Sequence, residues 1–571
     1  MGDTEAQLLQ PGHKQKGGWI TFPFILATRT LLTLAVAGFS SNLIVYLINE
    51  FNVNRIDSAQ IYNVVNGCMA LFPLLLAIIA DTFLGCFNVI WISTLISLMG
   101  MALLTLTSSI TSLRPQPCAE GSTFCQQPSA YQSSILFLAL ALPSIGFAGT
   151  SFTVGTMGAH QLDDPKHQEN FFNWFLFIWN AASVISGIGI VYVQDNVSWS
   201  WGFGICVASN LLGLIIFLAG KRLYRDVQPQ KSSPFKDLAC VVVAALSKKK
   251  LSLSNKEEDY YSELPDNAEE QQQQEGVTLL PATVPDESFK FLNHAALVTS
   301  ADIQPDGSIK KSWKLCTVKQ IEDLKTLIRL FPLWTTGFLL TIPMGVLSSL
   351  TTLQALTMDC STFWGLKYPV GSMSVFTLLA GAISLTFIDR LIFPICRKMA
   401  KPIRPLQRIA IGHIINVISV VIAAIVEHKR LQLARAQKFQ GKTDSVVVPM
   451  SVFWLIPQLA LSGTGEAFHF PGQALLYYKE FPASLKSTST AMLAILIAIG
   501  YYMGTFVIDV VRKVTDWLPE DINHGRLDNL YWLVAVLGVL NFVYYLACAG
   551  AYEYSSVMED EDETNDNKIY M

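Results

Sequence analysis

The chain has 571 residues, 51% of them hydrophobic and only 15% charged, with a mean hydropathy of +0.38. That composition excludes an ordinary soluble protein of this length, and a net charge of −4 gives no basic footprint for nucleic acid. Stretches of about 20 mainly apolar residues, enough to cross a hydrocarbon core roughly 30 Å thick, recur along nearly the whole chain, and backbone exposed to lipid has to satisfy its own hydrogen bonds, so an all-α membrane protein is predicted.

Residues 1–19 are polar, with His13, Lys14 and Lys16, and the apolar run behind them is too long for the core of a signal peptide. They read as a cytoplasmic N-terminus followed by the first span. Spans are expected at 20–48, 61–83, 87–110, 134–158, 171–193 and 201–220, an N-terminal six-helix half over 20–220. Ala80-Asp-Thr-Phe-Leu-Gly85 fits a tight turn in which glycine removes the steric penalty. Most of the ten cysteines lie in apolar segments, where they pack as small hydrophobes. Cys118 and Cys125 instead lie in a polar loop placed outside the cell, where a disulfide is chemically permitted; a bonded pair and two free thiols both fit the sequence. Phe171-Phe-Asn-Trp174 and Trp199-Ser-Trp201, at span ends, read as interface anchors.

Residues 221–326 break the pattern with Lys248-Lys-Lys250, an acidic patch and the run Gln271 to Gln274, a composition expected not to bury a core. They are read as a cytoplasmic linker with local helix at most. A C-terminal half over 327–552 follows, with spans at 327–350, 371–395, 407–427, 449–475, 487–511 and 529–552, and then an acidic cytoplasmic tail, 553–571. Pro73, Pro143, Pro332, Pro343, Pro457 and Pro471 fall in or near spans and are expected to loosen helices locally.

Short loops rich in Lys and Arg face the cytoplasm. Lys221, Arg222, Arg225 and Lys231, together with Arg397, Lys398, Lys401, Arg404 and Arg408, put the linker, the eighth-to-ninth connection and both termini on that side. The ninth-to-tenth connection, with Lys429, Arg430, Arg435, Lys438 and Lys442, falls outside and opposes the rule. The sequon Asn196-Val-Ser198 also falls outside, close to the membrane. Two six-helix halves about a long linker are the layout in which halves rock around a midplane cavity.

A charge at bilayer depth costs at least about 2.5 kcal/mol on insertion scales and calls for a partner or a wet cavity. Arg29 lies inside the first span, and Glu466 lies mid-way along the tenth in Ser462-Gly-Thr-Gly-Glu-Ala-Phe-His469, with His469 at i+3 on the same helical face. Glu466 is either a structural carboxylate or a cavity residue. Arg29 either snorkels or supplies a positive field for an anionic substrate. His469 alone reads more readily as a buried, hydrogen-bonded ring. Because Arg29 and Glu466 lie in opposite halves, an ion pair between them would form and break as the halves move. No nucleotide-binding loop, metal cluster, cofactor motif or paired nucleophile and base is visible, so neither a pump nor an enzyme is supported.

Phe171-Phe-Asn-Trp-Phe175, the stretches Val191–Ile205, Phe217–Arg225 and Trp313–Lys325, Phe453–Phe468, and Tyr531-Trp532 resemble the plant nitrate and peptide transporters related to proton-dependent oligopeptide transporters. The resemblance implies the major facilitator fold with about twelve transmembrane helices. Proton-coupled members carry ExxER or ExxEK in the first span; aligned here, that place reads Arg29-Thr-Leu-Leu-Thr33, and the family's fourth-span lysine falls at Ser151. The seventh span shows no basic residue to partner Glu466. Carboxylates at such positions exchange protons, so their loss argues against first-span proton coupling, and a guanidinium in their place favours a small anion. The departure resembles the family's nitrate-excretion subgroup and implies passive nitrate efflux across the plasma membrane, with chloride as rival substrate and the lipid bilayer as a further partner. The substrate-binding residues implied are Arg29, Thr33, Ser151, Glu466 and His469. The alternatives are a proton-coupled carrier of peptides or other organic solutes, with Glu466 facing an amine, and a non-transporting receptor or scaffold.

Overall fold

The computed structural model describes residues 17–116, 126–162, 164–225, 234–249, 251–253, 260–261, 285–286, 288–299, 313–361, 367–399, 403–439, 447–481 and 486–552. The first expected span is two helices, α1 (Phe22–Ser41) and α2 (Leu43–Phe51), bent at Asn42, whose side-chain amide donates to Asp195 Oδ1 at 2.7 Å. α3 (Arg55–Ile79) and α4 (Gly85–Ser109) follow, and then the fourth span, broken at Phe152 into α5 (Ala130–Ser151) and α6 (Thr153–Ala159). α7 (Pro165–Asn196) and α8 (Trp199–Ala219) complete the first set. Their starts follow from local chemistry. Ser129 and Gln132 form a reciprocal capping box at α5, Asp164 caps α7 with Pro165 in its first turn, and Ser198 caps α8.

Within the linker lie α9 (Pro234–Ser247) and the short α10 (Lys290–Asn293). The seventh span is again two helices, α11 (Val318–Leu340) and α12 (Ile342–Leu356), with Pro343 in the first turn of α12. The eighth comprises α13 (Ser374–Phe387) and α14 (Phe393–Lys398). The last four spans are α15 (Pro405–Phe439), α16 (Ile456–Glu480), α17 (Lys486–Val514) and α18 (Leu527–Ala551). Among the described residues, 11 helical segments are long and apolar enough to cross a membrane. The tenth expected span, α16, has 25 residues but is too polar to count with them, because it carries Ser462, Thr464, Glu466 and His469.

The second span of each half carries a π turn, Ala80–Leu84 after α3 and Ile388–Ile392 between α13 and α14, each with an aspartate at its second residue. Gly85 closes the first of these with φ of 75°, so the expected glycine turn is present.

Two compact units emerge from the packing. One comprises Met1–Pro229, Gly337–Gly472 and Leu493–Tyr544, and the other Gln230–Thr336, Gln473–Met492 and Tyr545–Met571. In the first, both six-helix sets contribute to a single apolar cluster in which Ile44, Ile56 and Ala59 pack with Ile342, Val346 and Leu350. Polar contacts reinforce that joint: Asn63 Nδ2 donates to Ser349 Oγ at 3.3 Å and Ser372 Oγ donates to the Gly187 carbonyl at 2.6 Å. Small residues let helices approach closely, since a Cβ on Gly100 would lie 2.3 Å from Pro143 Cδ. A two-stranded parallel ladder, β1 (Met358–Asp359) with β2 (Val448–Ser451), sets Met358 opposite Val448.

Three expectations are corrected. Residues 221–326 were expected to bury no core, yet in the second unit Val241, Ala244 and Ala245 of α9 pack on Tyr260, Leu292, Ala295, Leu297 and Cys316, with Val318 and Ile321 of α11. Lys248 Nζ locks this core by donating to the Leu297 carbonyl at 2.6 Å. The second correction concerns the aromatic groups. Trp174 and Trp201 are exposed, as anchors should be, whereas Phe171 is 1% exposed in a core and Trp199 packs on Tyr46 and Phe203.

The third concerns the charge that opposed the positive-inside rule. α15 runs 35 residues, about 52 Å at helical rise, so it continues well past the apolar run 407–427. Arg430 therefore lies inside the helix, fully buried and bidentate on Glu427 at 2.6 and 2.7 Å, and is not a loop charge. Lys429 lies 4.1 Å over the Trp454 ring. The connection is less basic than its residue count suggests.

Candidate functional site

α1 packs along α7 and α8, and Thr28 Oγ1 reaches the Gly213 carbonyl of α8 at 3.4 Å. That contact turns the next residue, Arg29, into the protein interior, where it is 1% exposed. Its guanidinium carbon lies 4.6 Å from the Phe175 ring centre and 4.5 Å from that of Trp179. Phe175 and Trp179 are four residues apart and so share one face of α7. Cation–π contacts of this kind reach about 2 kcal/mol when desolvated and hold the cation without cancelling its charge.

One polar contact is made. Nη1 of Arg29 donates to the Ser151 carbonyl at 3.5 Å, the limit of a hydrogen bond. Ser151 is the last residue of α5, and the break at Phe152 leaves the partial negative charge of a helix C-terminus there. Nε and Nη2 of Arg29 have no hydrogen-bond partner, and no carboxylate lies within ion-pair distance among the described residues. One turn further along α1, Thr33 is 3% exposed and its hydroxyl also lacks a partner among the described residues. Arg29 and Thr33 thus present unused donors on one helical face, a combination suited to an anion and not to a cation.

Glu466, on α16, is half-buried and accepts from Ser462 Oγ at 3.3 Å. Among the described residues it has no cationic partner, and it is not paired with Arg29. His469 is buried at 1% and packs where a Cβ on Gly412 of α15 would meet its backbone nitrogen at 2.7 Å, a close helix crossing. Arg29, Thr33 and Ser151 are brought together around α1. Glu466 and His469 belong to the neighbourhood of α16 and α15, whose Gly412 packs on Gly465 and His469. Cys118 and Cys125 lie outside the described residues.

Sequence reasoning missed Phe175 and Trp179. Their i, i+4 spacing was visible, but an aromatic pair in an apolar run signals lipid or core equally well until the arginine that it faces is known. No group of three or more His, Cys, Asp or Glu residues is placed to hold a metal among the described residues.

The pattern of the POT family, PTR2, matches residues 87–523. Protein NRT1/PTR FAMILY 2.7 of Arabidopsis thaliana is 45% identical over 98% of this chain and 97% of its own length. Protein NRT1/PTR FAMILY 2.3 of the same plant is 43% identical over 99% and 98%. Among solved structures, an auto-inhibited POT family peptide transporter superposes with a TM-score of 0.67 at 17% identity, covering 94% of this chain and 98% of that one. A POT family transporter in complex with 5-aminolevulinic acid superposes with a TM-score of 0.62 at 12% identity, covering 94% and 98%. These two share the fold. With a matching pattern over most of its length and full-length relatives above 40% identity, the chain belongs to the POT family of membrane transporters, in its plant NRT1/PTR branch.

Proposed function

We propose that this transporter moves a small monovalent anion, nitrate first and chloride as its rival, out of the cell across the plasma membrane without coupling to protons. The observation that carries the reading is the buried Arg29 guanidinium, held by aromatic faces and a carbonyl, with two nitrogens and the Thr33 hydroxyl unused. An uncompensated positive charge at that depth is costly unless a mobile anion neutralises it for part of the cycle. The first-span segment Arg29 to Thr33 contains no carboxylate to carry a proton. Exit needs no proton either, because a cytoplasm about 100 mV negative favours loss of a monovalent anion by about 2.3 kcal/mol.

The half-buried Glu466, with a hydroxyl as its hydrogen-bond donor, supports a second reading, an organic solute whose amine faces that carboxylate. Flux of labelled nitrate from liposomes holding the purified protein separates the readings. Flux that competes with chloride but not with peptides or amino acids supports the anion carrier. Flux of an organic solute that nitrate does not inhibit supports the second, and absence of any flux would favour a receptor.

A further inference from the structure

A cavity of 330 Å³ opens where α4 begins and where α6 and α8 end, away from Arg29 and sharing no residue with that site. Its wall combines Lys221, Arg225, His160 and Tyr224 with the first turn of α4 from Gly85. No aspartate or glutamate lines it among the described residues. A space of this size walled by cations, neutral donors and the positive end of a 25-residue helix selects for negative charge.

The cations are positioned. Gln161 Oε1 accepts from the Arg225 backbone N–H at 2.7 Å, and Gln161 Nε2 donates to the Arg225 carbonyl at 3.3 Å, so the end of α6 fixes the chain just beyond α8. The Gly17 N–H donates to the Leu223 carbonyl at 2.9 Å and ties the segment before α1 to the same place. Lys221 Nζ lies 5.3 Å over the Phe87 ring, which stacks on Phe217 with ring centres 5.1 Å apart. Lys221 itself is exposed, so it keeps the freedom to reach a ligand.

The independent observation is Tyr224. It is 5% exposed and lines the cavity, yet its hydroxyl is buried with no hydrogen-bond partner among the described residues. A buried donor left unmade costs about 1–3 kcal/mol, and a ligand oxygen would remove that cost. Two cations, an imidazole and a hydroxyl converge best on a group with several anionic oxygens in a compact tetrahedron. A flat carboxylate would occupy fewer of them.

We propose that this cavity is a binding site for a phosphate-bearing headgroup, with Lys221 and Arg225 as charge partners and Tyr224 as a hydrogen-bond donor. The phosphate comes either from an anionic membrane lipid, whose acyl chains would lie beside the exposed Phe83 and Leu84, or from a water-soluble inositol phosphate.

The test uses the full chain in phosphatidylcholine nanodiscs. One arm adds a few per cent of phosphatidylinositol 4-phosphate and detects bound lipid by native mass spectrometry. The other titrates inositol 1,4-bisphosphate calorimetrically without anionic lipid. Saturable binding in the first arm assigns the lipid source, and in the second the soluble one. Either is expected to weaken about tenfold or more in Lys221→Glu and about threefold in Tyr224→Phe. Lys221 is on the surface and Tyr224→Phe preserves volume, so both variants should fold, which a size-exclusion profile checks. Binding in neither arm, or wild-type binding by both variants, overturns the proposal.

Discussion

Asp57, in the first turn of α3, pairs with Arg512, in the last turn of α17, although 455 residues separate them. The pair bridges the two six-helix sets at the end where Asn63 meets Ser349 and Gly67 packs on Tyr502. It therefore stabilises this arrangement relative to any state in which that end has opened. Its side chains are 33% and 39% exposed, so solvent screening limits its worth to about 1 kcal/mol or less. Asp57→Asn is expected to raise the population of the opened state about two- to fivefold. In Asn63→Cys/Ser349→Cys protein, that change appears as slower disulfide cross-linking under mild oxidant; an unchanged rate would mean that the pair is ornamental.

The Glu427–Arg430 pair is a different case. Both side chains are fully buried, Gln354 Nε2 donates to Glu427 Oε2 at 2.7 Å, and Arg430 Nη1 donates to Thr357 Oγ1 at 2.8 Å. Removing one partner leaves a buried uncompensated charge, for which about 3–5 kcal/mol is typical. Glu427→Gln should therefore lower the thermal midpoint of the purified protein by several degrees or abolish folding. Replacing both members with apolar residues of similar size should recover much of the loss. Equal stability of Glu427→Gln and wild type would contradict the assignment.

Part of this was legible in the sequence and part was not. The span pattern was legible because apolar runs of membrane length have one structural outcome, and the Gly85 turn because its backbone conformation favours glycine. Arg29 stood out as a charge inside an apolar run. Its neighbours did not, since Phe175 and Trp179 meet it only through folding. Glu427 and Arg430 were separated by a boundary drawn where hydropathy falls, although their i, i+3 spacing was a usable sign of an internal ion pair. Averaging the linker over its glutamine-rich stretch hid the apolar segment Leu238–Ser247, which folds on the start of α11.

That linker core yields a chemical prediction. Cys240 of α9 and Cys316, two residues before α11, lie with their sulfurs 3.1 Å apart. Mild oxidation of two thiols at that separation should join them as a disulfide, releasing two protons and two electrons to the oxidant. Copper–phenanthroline treatment followed by peptide mapping should recover a cross-linked Cys240–Cys316 peptide in high yield. Recovery of both thiols unoxidised would show that α9 does not pack here in solution.

The aromatic clamp on Arg29 can be probed separately. Trp179→Leu keeps an apolar contact but removes the stronger of the two ring faces, a loss of about 1–2 kcal/mol in holding the guanidinium. Anion flux should fall roughly five- to thirtyfold, chiefly through weaker apparent affinity, as initial rates against nitrate concentration would reveal. A fall in maximal rate at unchanged affinity would instead point to a role in helix movement.

The most direct test is nitrate flux through Arg29→Gln in proteoliposomes with voltage set by potassium and valinomycin and with pH equal on both sides. Glutamine removes a buried charge that no carboxylate balances, so the variant should fold. Wild-type flux should persist without a pH gradient and follow the voltage, while Arg29→Gln should lose at least about tenfold, the scale of one charge-assisted contact. Wild-type flux that stops when the proton gradient is collapsed, or an Arg29→Gln rate equal to wild type, would contradict the account.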